Sequence, residues 1–300
     1  NNPKGEMVDS QPGWEGLTGQ SFAEYQGYGW AKALHPDDAQ PTIYAWNKAI
    51  TERKPFIFEH RVKRQNGKWG TFGVHAIPMV NEHDEVREWV GVHTDIEKRK
   101  SQEKRSQLII AVDDAIWNLG ETIDITQVVA FKLGTYLQVN RCAYADVEDD
   151  EDTFTLTGDY NNGAPSIVSC YKFIQFGKEC LRLMRANQPY VVEDSEIDDR
   201  CSEVVDAYRM TKIRAVICVP LHKSGRLIGC MMVHSIAPRN WCADEVELIQ
   251  SIAARCWESK ERSRVTRDLQ ESEARFKDLA ESMPQLVWID RGLDGYCEYL

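Results

Sequence analysis

The pattern of apolar and polar positions changes character repeatedly along the 300 residues. The first stretch, GWEGLTGQSFAEYQGYGWAKALHPDDAQP, is interrupted at short intervals by Gly, Pro and aromatic residues, which predicts short helices joined by tight turns. A helix over Thr42 to Glu52 is expected next, with Pro41 at its start, where a missing N–H costs little. Three runs of strand character follow: FIFEHRVKR, KWGTFGVHAIPMV and EVREWVGVHTD. In the first, Phe56, Phe58, His60 and Val62 share one face, and Ile57, Glu59 and Arg61 share the other. The connections QNGK and NEHDE have hairpin composition, so the strands should be antiparallel.

From Asp95 the text becomes IEKRKSQEKRSQLIIAVDDAIWNL, a helical stretch without Gly or Pro that would span roughly 35 Å. Its Leu108, Val112, Ala115 and Leu119 repeat at spacings of four, three and four, the seam of a helix facing a parallel partner. A second mixed segment runs to about residue 240. DITQVVAFKLGTYL reads as a helix opening on Asp124, NRCAYADVE and DTFTLTGDY as strands, FGKECLRLMRANQ as a helix and PYVVED as a short strand. RAVICVPLHKSGRLIGCMMVHS reads as two strands around Lys-Ser-Gly. A final helix begins near Ala243 and continues to about Ser282, where Val265, Leu269, Ser272, Phe276, Leu279 and Met283 again keep heptad spacing. Then come Leu286 to Ile289 and Tyr296 to Leu300, flanking Gly-Leu-Asp-Gly, the composition of a hairpin.

Composition narrows the class. The net charge of −11 argues against nucleic acid, whose binding needs a basic surface. No apolar run is long enough for a transmembrane helix. The nine cysteines are odd in number and most sit in apolar runs such as RAVICVP and LIGCMMV, so these read as buried thiols in a reducing, cytoplasmic setting. No C-x-x-C pair occurs and the seven histidines are scattered, which gives no metal site.

Several stretches resemble known sensory families. GWEGLTGQS, GYGWAKALHPDD, EHRVKRQNG and the ending VGVHTDIEKRK resemble a PAS domain with its C-terminal PAC segment. AVICVPLHKSGRLIGCMMVHS and WCADEVELIQSIAARCWESKERSR resemble a GAF domain. SEARFKDLAESMPQLVWIDRGLDGYCEYL is similar to the opening helix and strands of a further PAS domain. The expected fold is α+β: a five-stranded antiparallel PAS sheet with helices on one face, then a GAF domain with a central antiparallel sheet and flanking helices. Residues 1–98 form the first domain in this reading, 99–120 a helical linker, 105–264 the GAF domain with its terminal helices, 265–283 a second linker, and 284–300 the first strands of a truncated PAS domain. GEMVDSQPGWEGLTG aligns with the second PAS strand onward, so the first strand is expected to be missing, its slot filled by residues 286–290 of another copy or by an upstream segment.

The resemblance implies ligand pockets, and the aromatic and polar positions on the strands nominate Trp30, Phe58, Trp69 and Phe72 in the first domain and Tyr144, Phe173, Cys218 and His234 in the second. The family's T-D-I-x-x-R-K exit maps onto Thr94, Asp95 and Arg99, which with Leu108, Val112, Leu269 and Phe276 are the signal-relay candidates. No cofactor is evident. A cysteinyl-flavin adduct needs a cysteine where none precedes Cys142, and the Cys-His and Asp-Ile-Pro motifs of bilin-binding GAF domains are absent. Cys180, beside Leu181 and Met184, reads as core. A haem ligand is expected on the helix around Ile43 to Glu52, which has no histidine; His35, next to Pro36 and Asp37, reads as a cap. The N-K-F-D-E pattern of cyclic-nucleotide GAF domains is also absent.

Neither a G-x-x-x-x-G-K-[ST] loop nor a G-x-S-x-G elbow occurs, and the acidic clusters VEDDED and EDSEIDD read as solvated turns, so no catalytic residue is assigned and the chain is expected to be non-enzymatic. The expected role is sensing and relay within a bacterial histidine kinase, as a parallel homodimer through its helices with downstream PAS and kinase modules. The competing expectation is a ligand-free scaffolding module whose pockets are filled by Trp14, Trp30, Phe58, Trp69 and Phe72.

Overall fold

The computed structural model describes residues 1–118, 125–282, 288–291 and 296–299, which divide into two compact units, Asn1–Lys104 and Arg105–Leu300. In the first unit, α1 (Pro12–Thr18) and α2 (Phe22–Tyr25) are followed by a 3-10 turn over Gly29–Ala33 and by α3 (Pro36–Glu52). α3 starts at Pro36, earlier than the expected Thr42, because His35 caps it: His35 Nδ1 accepts the Asp37 amide at 3.3 Å. Pro41 thus lies inside the helix, where its missing N–H removes one helical hydrogen bond.

Strands β1 (Phe56–Lys63), β2 (Trp69–Val80) and β3 (Val86–Asp95) form an antiparallel sheet in that order. The expected five strands are three among the described residues. Before Phe56 the chain makes only isolated bridges, Met7 with Gly27 and Leu34 with Val62. The stretch aligned with the second PAS strand is held by the single bridge at Met7, and beyond it the chain is helical: Gly19 takes a left-handed φ of 75° to end α1, and Ser21 and Glu24 build a capping box for α2. On the open side of β3, Asn1 exchanges two backbone hydrogen bonds with Trp89, at 2.9 and 3.0 Å. The inner face of the sheet carries Phe56, Val62, Val74 and Ala76 against Trp46 and Ala49 of α3. Trp46 meets both Phe56 and Trp89 edge to face at 5.0 Å, contacts that contribute about 0.5–1.5 kcal/mol each beyond area burial.

Helix α4 (Glu97–Asn118) follows β3 directly, and the second unit continues with α5 (Ile125–Leu137), β4 (Arg141–Val147), β5 (Thr153–Asn161) and β6 (Cys170–Lys172). After a short 3-10 turn come α6 (Lys178–Arg185), β7 (Tyr190–Val192), α7 (Val205–Thr211), β8 (Ala215–Lys223), β9 (Arg226–Ser235) and α8 (Ala243–Ser282). The sheet runs β6-β5-β4-β9-β8-β7, with every neighbouring pair antiparallel. Ser224 and Gly225 both have positive φ, 51° and 81°, which matches the turn of a two-residue hairpin to the strand twist between β8 and β9.

Both faces of this sheet are covered, which explains why its central strands read as continuous apolar runs. One face packs Ile217, Val219, Met231 and Val233 against Val129, Leu133, Ile249 and Ile252 of α5 and α8. The other packs Val216, Cys218 and Met232 with Phe154, Phe173, Met184 and Tyr208. Leu108 and Val112, expected to face a partner helix, belong to the first of these cores at 8% and 0% exposure. Burying such a side chain is worth about 1.5–3 kcal/mol, so the second unit itself covers this stripe.

Helix α8 changes character along its 40 residues. Leu248, Ile249, Ile252, Ala253 and Cys256 are buried, whereas Val265, Leu269 and Phe276 are 54%, 59% and 52% exposed. Beyond it, β10 (Trp288–Arg291) pairs antiparallel with β11 (Tyr296–Tyr299), as the hairpin composition indicates. Leu119, Asp124, Met283, Leu286, Val287 and Leu300, which the apolar pattern also assigns to helices or strands, lie outside the described residues. Cys142, Cys170, Cys180, Cys201, Cys218, Cys230, Cys242 and Cys256 are free thiols, and among the described residues no helix is long and apolar enough to cross a membrane.

The contrast along the helices is measurable. Leu133→Ala, which empties a fully buried position, should cost the second unit about 2–5 kcal/mol in urea unfolding. Phe276→Ala, on the exposed part of α8, should change it by less than about 0.5 kcal/mol under the same conditions with the protein monomeric.

Candidate functional site

Between the inner face of the first sheet and its helices lies a cleft of about 510 Å³, within the range of small-molecule sites. Strand alternation places Phe56 and His60 of β1, Val74 and Ala76 of β2, and Trp89 and His93 of β3 on its wall, while helical spacing adds Thr42 and Trp46 from α3. Trp14 and Trp30 come from the turn-rich N-terminal stretch.

Of the sequence candidates here, Trp30 lines the cleft and three others do not. Trp69 pairs with Lys63 on the outer register of the sheet and lies edge-on to His35 at 4.7 Å. Phe72 is inward and buried, but its ring is covered by the Arg64 guanidinium at 5.3 Å. Phe58, half-buried, stacks on Phe56 at 5.8 Å and stays off the wall. Trp14, named in the sequence only as a pocket-filling ring, also lines the cleft, and Trp46, Trp89, His60 and His93 line it without being among the sequence candidates. The usable signal is the alternation on β1, which by itself places His60 inward.

The polar groups of the cleft are tightly defined. Asp38 pairs with Arg61 at 2.7 Å, and the hydrogen bonds from that guanidinium hold its carboxyl down at about 2. The Asp38 carbonyl takes the Thr42 hydroxyl at 2.7 Å, and Thr42 Oγ1 is 3.3 Å from His60 Nδ1. With its proton committed to that carbonyl, Thr42 accepts, so His60 carries its hydrogen on Nδ1. Burial, reinforced by His93, lowers His60 to about 4 and keeps it neutral.

The second unit has a cavity of about 30 Å³, room for roughly two waters. Phe173, Cys218 and His234 line it as expected, together with Phe154, Tyr190 and Tyr208. Tyr144 does not, because successive residues of β4 face opposite sides and Tyr144 lies in the other core, under Lys260 Nζ at 4.5 Å. Tyr190 donates to Tyr208 at 3.0 Å, and Tyr208 donates to the Phe176 carbonyl at 2.8 Å. Behind His234 is Arg141, fully buried. Its partners are neutral: Asn161 Oδ1, the Pro165 and Thr211 carbonyls, and His234 Nδ1 at 3.3 Å. Asp159 reaches it only through Asn161, whose amide donates to Asp159 at 2.7 Å. Burial and the neighbouring guanidinium push His234 well below its usual value, so it is a neutral hydrogen-bond partner.

The exit of the first sheet is the remaining candidate. Asp95 Oδ1 accepts the Glu97 amide at 3.0 Å, capping α4, and Asp95 Oδ2 takes Arg64 at 2.6 Å. Glu59, on the outer face of β1, holds Lys100 at 2.6 Å and Arg99 at 2.7 Å, and these two cations lower its carboxyl below the usual range. Thr94 sits opposite Gly73 in the register of β3 with β2. Leu269 and Phe276 lie on the exposed stripe of α8.

A three-stranded sheet holding a cleft against helices, followed by a six-stranded sheet enclosed by helices, is the build of a tandem of sensory domains. Residues 7–93 match the family model described as PAS fold, and residues 121–259 match the one described as GAF domain. The chain therefore carries a PAS domain followed by a GAF domain. Over 128 residues it is 31% identical to the uncharacterized protein y4lL of Sinorhizobium fredii (strain NBRC 101917 / NGR234), a match covering 40% of this chain and 15% of that protein's length. Among solved structures, the phycoerythrobilin-bound GAF domain of a cyanobacterial phytochrome is similar at 14% identity and a TM-score of 0.47, covering 54% of this chain and 97% of that one. The free methionine-R-sulfoxide reductase of Neisseria meningitidis is similar at 16% identity and a TM-score of 0.44, covering 54% and 91%.

The buried His60 makes the stability of the PAS domain depend on pH. Its folded-state value of about 4 lies below its ordinary 6.5, so the unfolded chain binds the proton first as pH falls. The contribution is fully present above about pH 6.5 and is lost progressively toward pH 4, up to about 3 kcal/mol in all. Chemical unfolding between pH 7 and 4 should show this slope in the wild type and a shallower one in His60→Gln.

Proposed function

We propose that this chain is the sensing and relay region of a larger signal-transduction protein, without catalysis of its own. The PAS cleft receives a small ligand, and the helices pass the resulting change to an output domain of histidine-kinase type. The observation that carries this reading is the division of labour on β1. Phe56 and His60 wall the cleft from one face of the strand, and Glu59, between them on the other face, holds Arg99 and Lys100 at the start of α4. A ligand that tilts β1 by a fraction of an ångström moves the anchor of the helix. The coupling such a device needs is about 1–3 kcal/mol.

The GAF domain acts in this reading as a packing and dimerisation unit with no ligand, a role favoured by a cavity that holds only about two waters. Val265, Leu269 and Phe276, with Ser272 between them, line one face of α8 at heptad spacing and would pair with the same face of a second copy in parallel. A polar residue within that seam weakens it enough for the signal to shift it.

Three measurements test the proposal. Native mass spectrometry of the purified chain should find a small molecule retained or taken up by the PAS domain, and hydrogen exchange over residues 97–104 should change with occupancy. Glu59→Gln should leave uptake intact and remove that change; an unaltered response would overturn the relay. In the full-length protein, deleting one residue between 268 and 282 should rotate the downstream module by about 100° and alter kinase output severalfold.

A further inference from the structure

Three nitrogens around the PAS cleft have no partner in the protein: Trp30 Nε1, Trp89 Nε1 and His60 Nε2. Their side chains border the cleft and are 7%, 3% and 3% exposed. The nitrogens themselves are shut off from solvent, so bulk water does not serve them. A buried polar group left unpaired costs about 1–3 kcal/mol, and folded proteins retain few of them. Three side chains bordering one cavity thus each hold an unmet hydrogen-bonding group just behind its surface, a polar pattern that a bound molecule would complete.

The chemistry of each atom is fixed. An indole N–H is a donor only, so Trp30 and Trp89 need acceptors. His60 has its hydrogen on Nδ1, committed to Thr42, so its Nε2 is a bare acceptor and needs a donor. The remainder of the wall sets shape and charge. Trp14, Trp46 and Phe56 contribute flat apolar surface, which suits a planar ring system. Asp9 and Glu88 are the acidic side chains on the wall, and among the described residues no lysine or arginine lines it, so its charged side chains oppose an anion.

Resting on the reading of the cleft as the receptor site, we propose that its ligand is an uncharged, planar heteroaromatic molecule with a hydrogen-bond acceptor beside an N–H or O–H donor, as in a lactam. The acceptor takes the indole N–H groups of Trp30 and Trp89, and the donor is given to His60 Nε2. The nitrogens are closed off from the cleft in this structure, so binding in this proposal includes a turn of the three rings that presents them to the ligand. Hydroxylated or lactam-type bicyclic metabolites have this edge; fatty acids and phosphates do not.

The probe is 2-quinolinone, titrated into the 300-residue chain by calorimetry and by tryptophan fluorescence, beside 1-methyl-2-quinolinone, which lacks the donor, and 2-naphthoate, which carries a charge. 2-Quinolinone should bind most tightly, and methylation should weaken it about 2- to 10-fold, the worth of one hydrogen bond. Trp30→Phe and Trp89→Phe keep the aromatic ring and remove the donor, and each should weaken binding by a similar factor. His60→Phe should abolish the preference over the methylated probe. Near-ultraviolet circular dichroism confirms that each variant is folded. Equal binding of the methylated probe, or tighter binding of 2-naphthoate, overturns the ligand class while the receptor reading stands. Failure of all three probes to bind overturns the ligand class, and the receptor reading falls with it only if native mass spectrometry also finds no small molecule retained or taken up.

Discussion

Strand β1 has a residue period of two, and everything proposed for the PAS domain depends on that alternation. Phe56, His60 and Val62 are held inward because their apolar or desolvated surface is covered by α3 and by the other strands. Glu59 is thereby forced outward, where it meets Arg99 and Lys100 of the departing helix. The cleft wall and the helix anchor are adjacent residues of one peptide, and neither can shift in register without the other. A slip of one position would put Glu59 into the cleft and His60 into solvent, so the burial of His60 also fixes the register on which the helix contact relies.

Much of this is legible in the sequence because it rests on short-range pattern. The three strand runs, the β8–β9 hairpin and the long helices follow from local periodicity and turn chemistry, and the structure places them where that pattern indicates. The start of α3 differs because Pro41 has the look of a first-turn residue, while the stronger signal lies upstream in the His35-Pro36 pair. The PAS sheet has three strands among the described residues where the family pattern has five. The first of the five is expected to be missing, and the stretch aligned with the second, around Met7, contributes one isolated bridge to Gly27 before Pro12 opens α1.

The site residues are less legible, since aromatic content alone does not say which cavity a ring faces. Trp69 and Tyr144 are separated from the cavities by the parity of their strand positions, which depends on register and not on residue type. Trp14 and Trp46 reach the cleft through tertiary packing of helices that no local pattern relates to the sheet. The heptad stripe of α4 shows the same limit. Spacing reveals an apolar face at Leu108 and Val112 but not its partner, which is a core of the same chain.

The two cavities differ in how their polar atoms are used, and this separates their roles. Around the GAF cavity the tyrosines form a closed relay ending on the Phe176 carbonyl, and every arm of Arg141 has found a neutral acceptor. Such a network is complete in itself, and a ligand entering there would have to break hydrogen bonds before making any. Around the PAS cleft the same kind of accounting ends with orphaned nitrogens beside about 510 Å³ of space. A buried network that closes upon itself stiffens a domain, whereas one left open stores a cost that a complementary molecule removes on binding. Of the two cavities, the energetic incentive to bind therefore lies at the PAS cleft, on the wall that β1 shares with the anchor of α4.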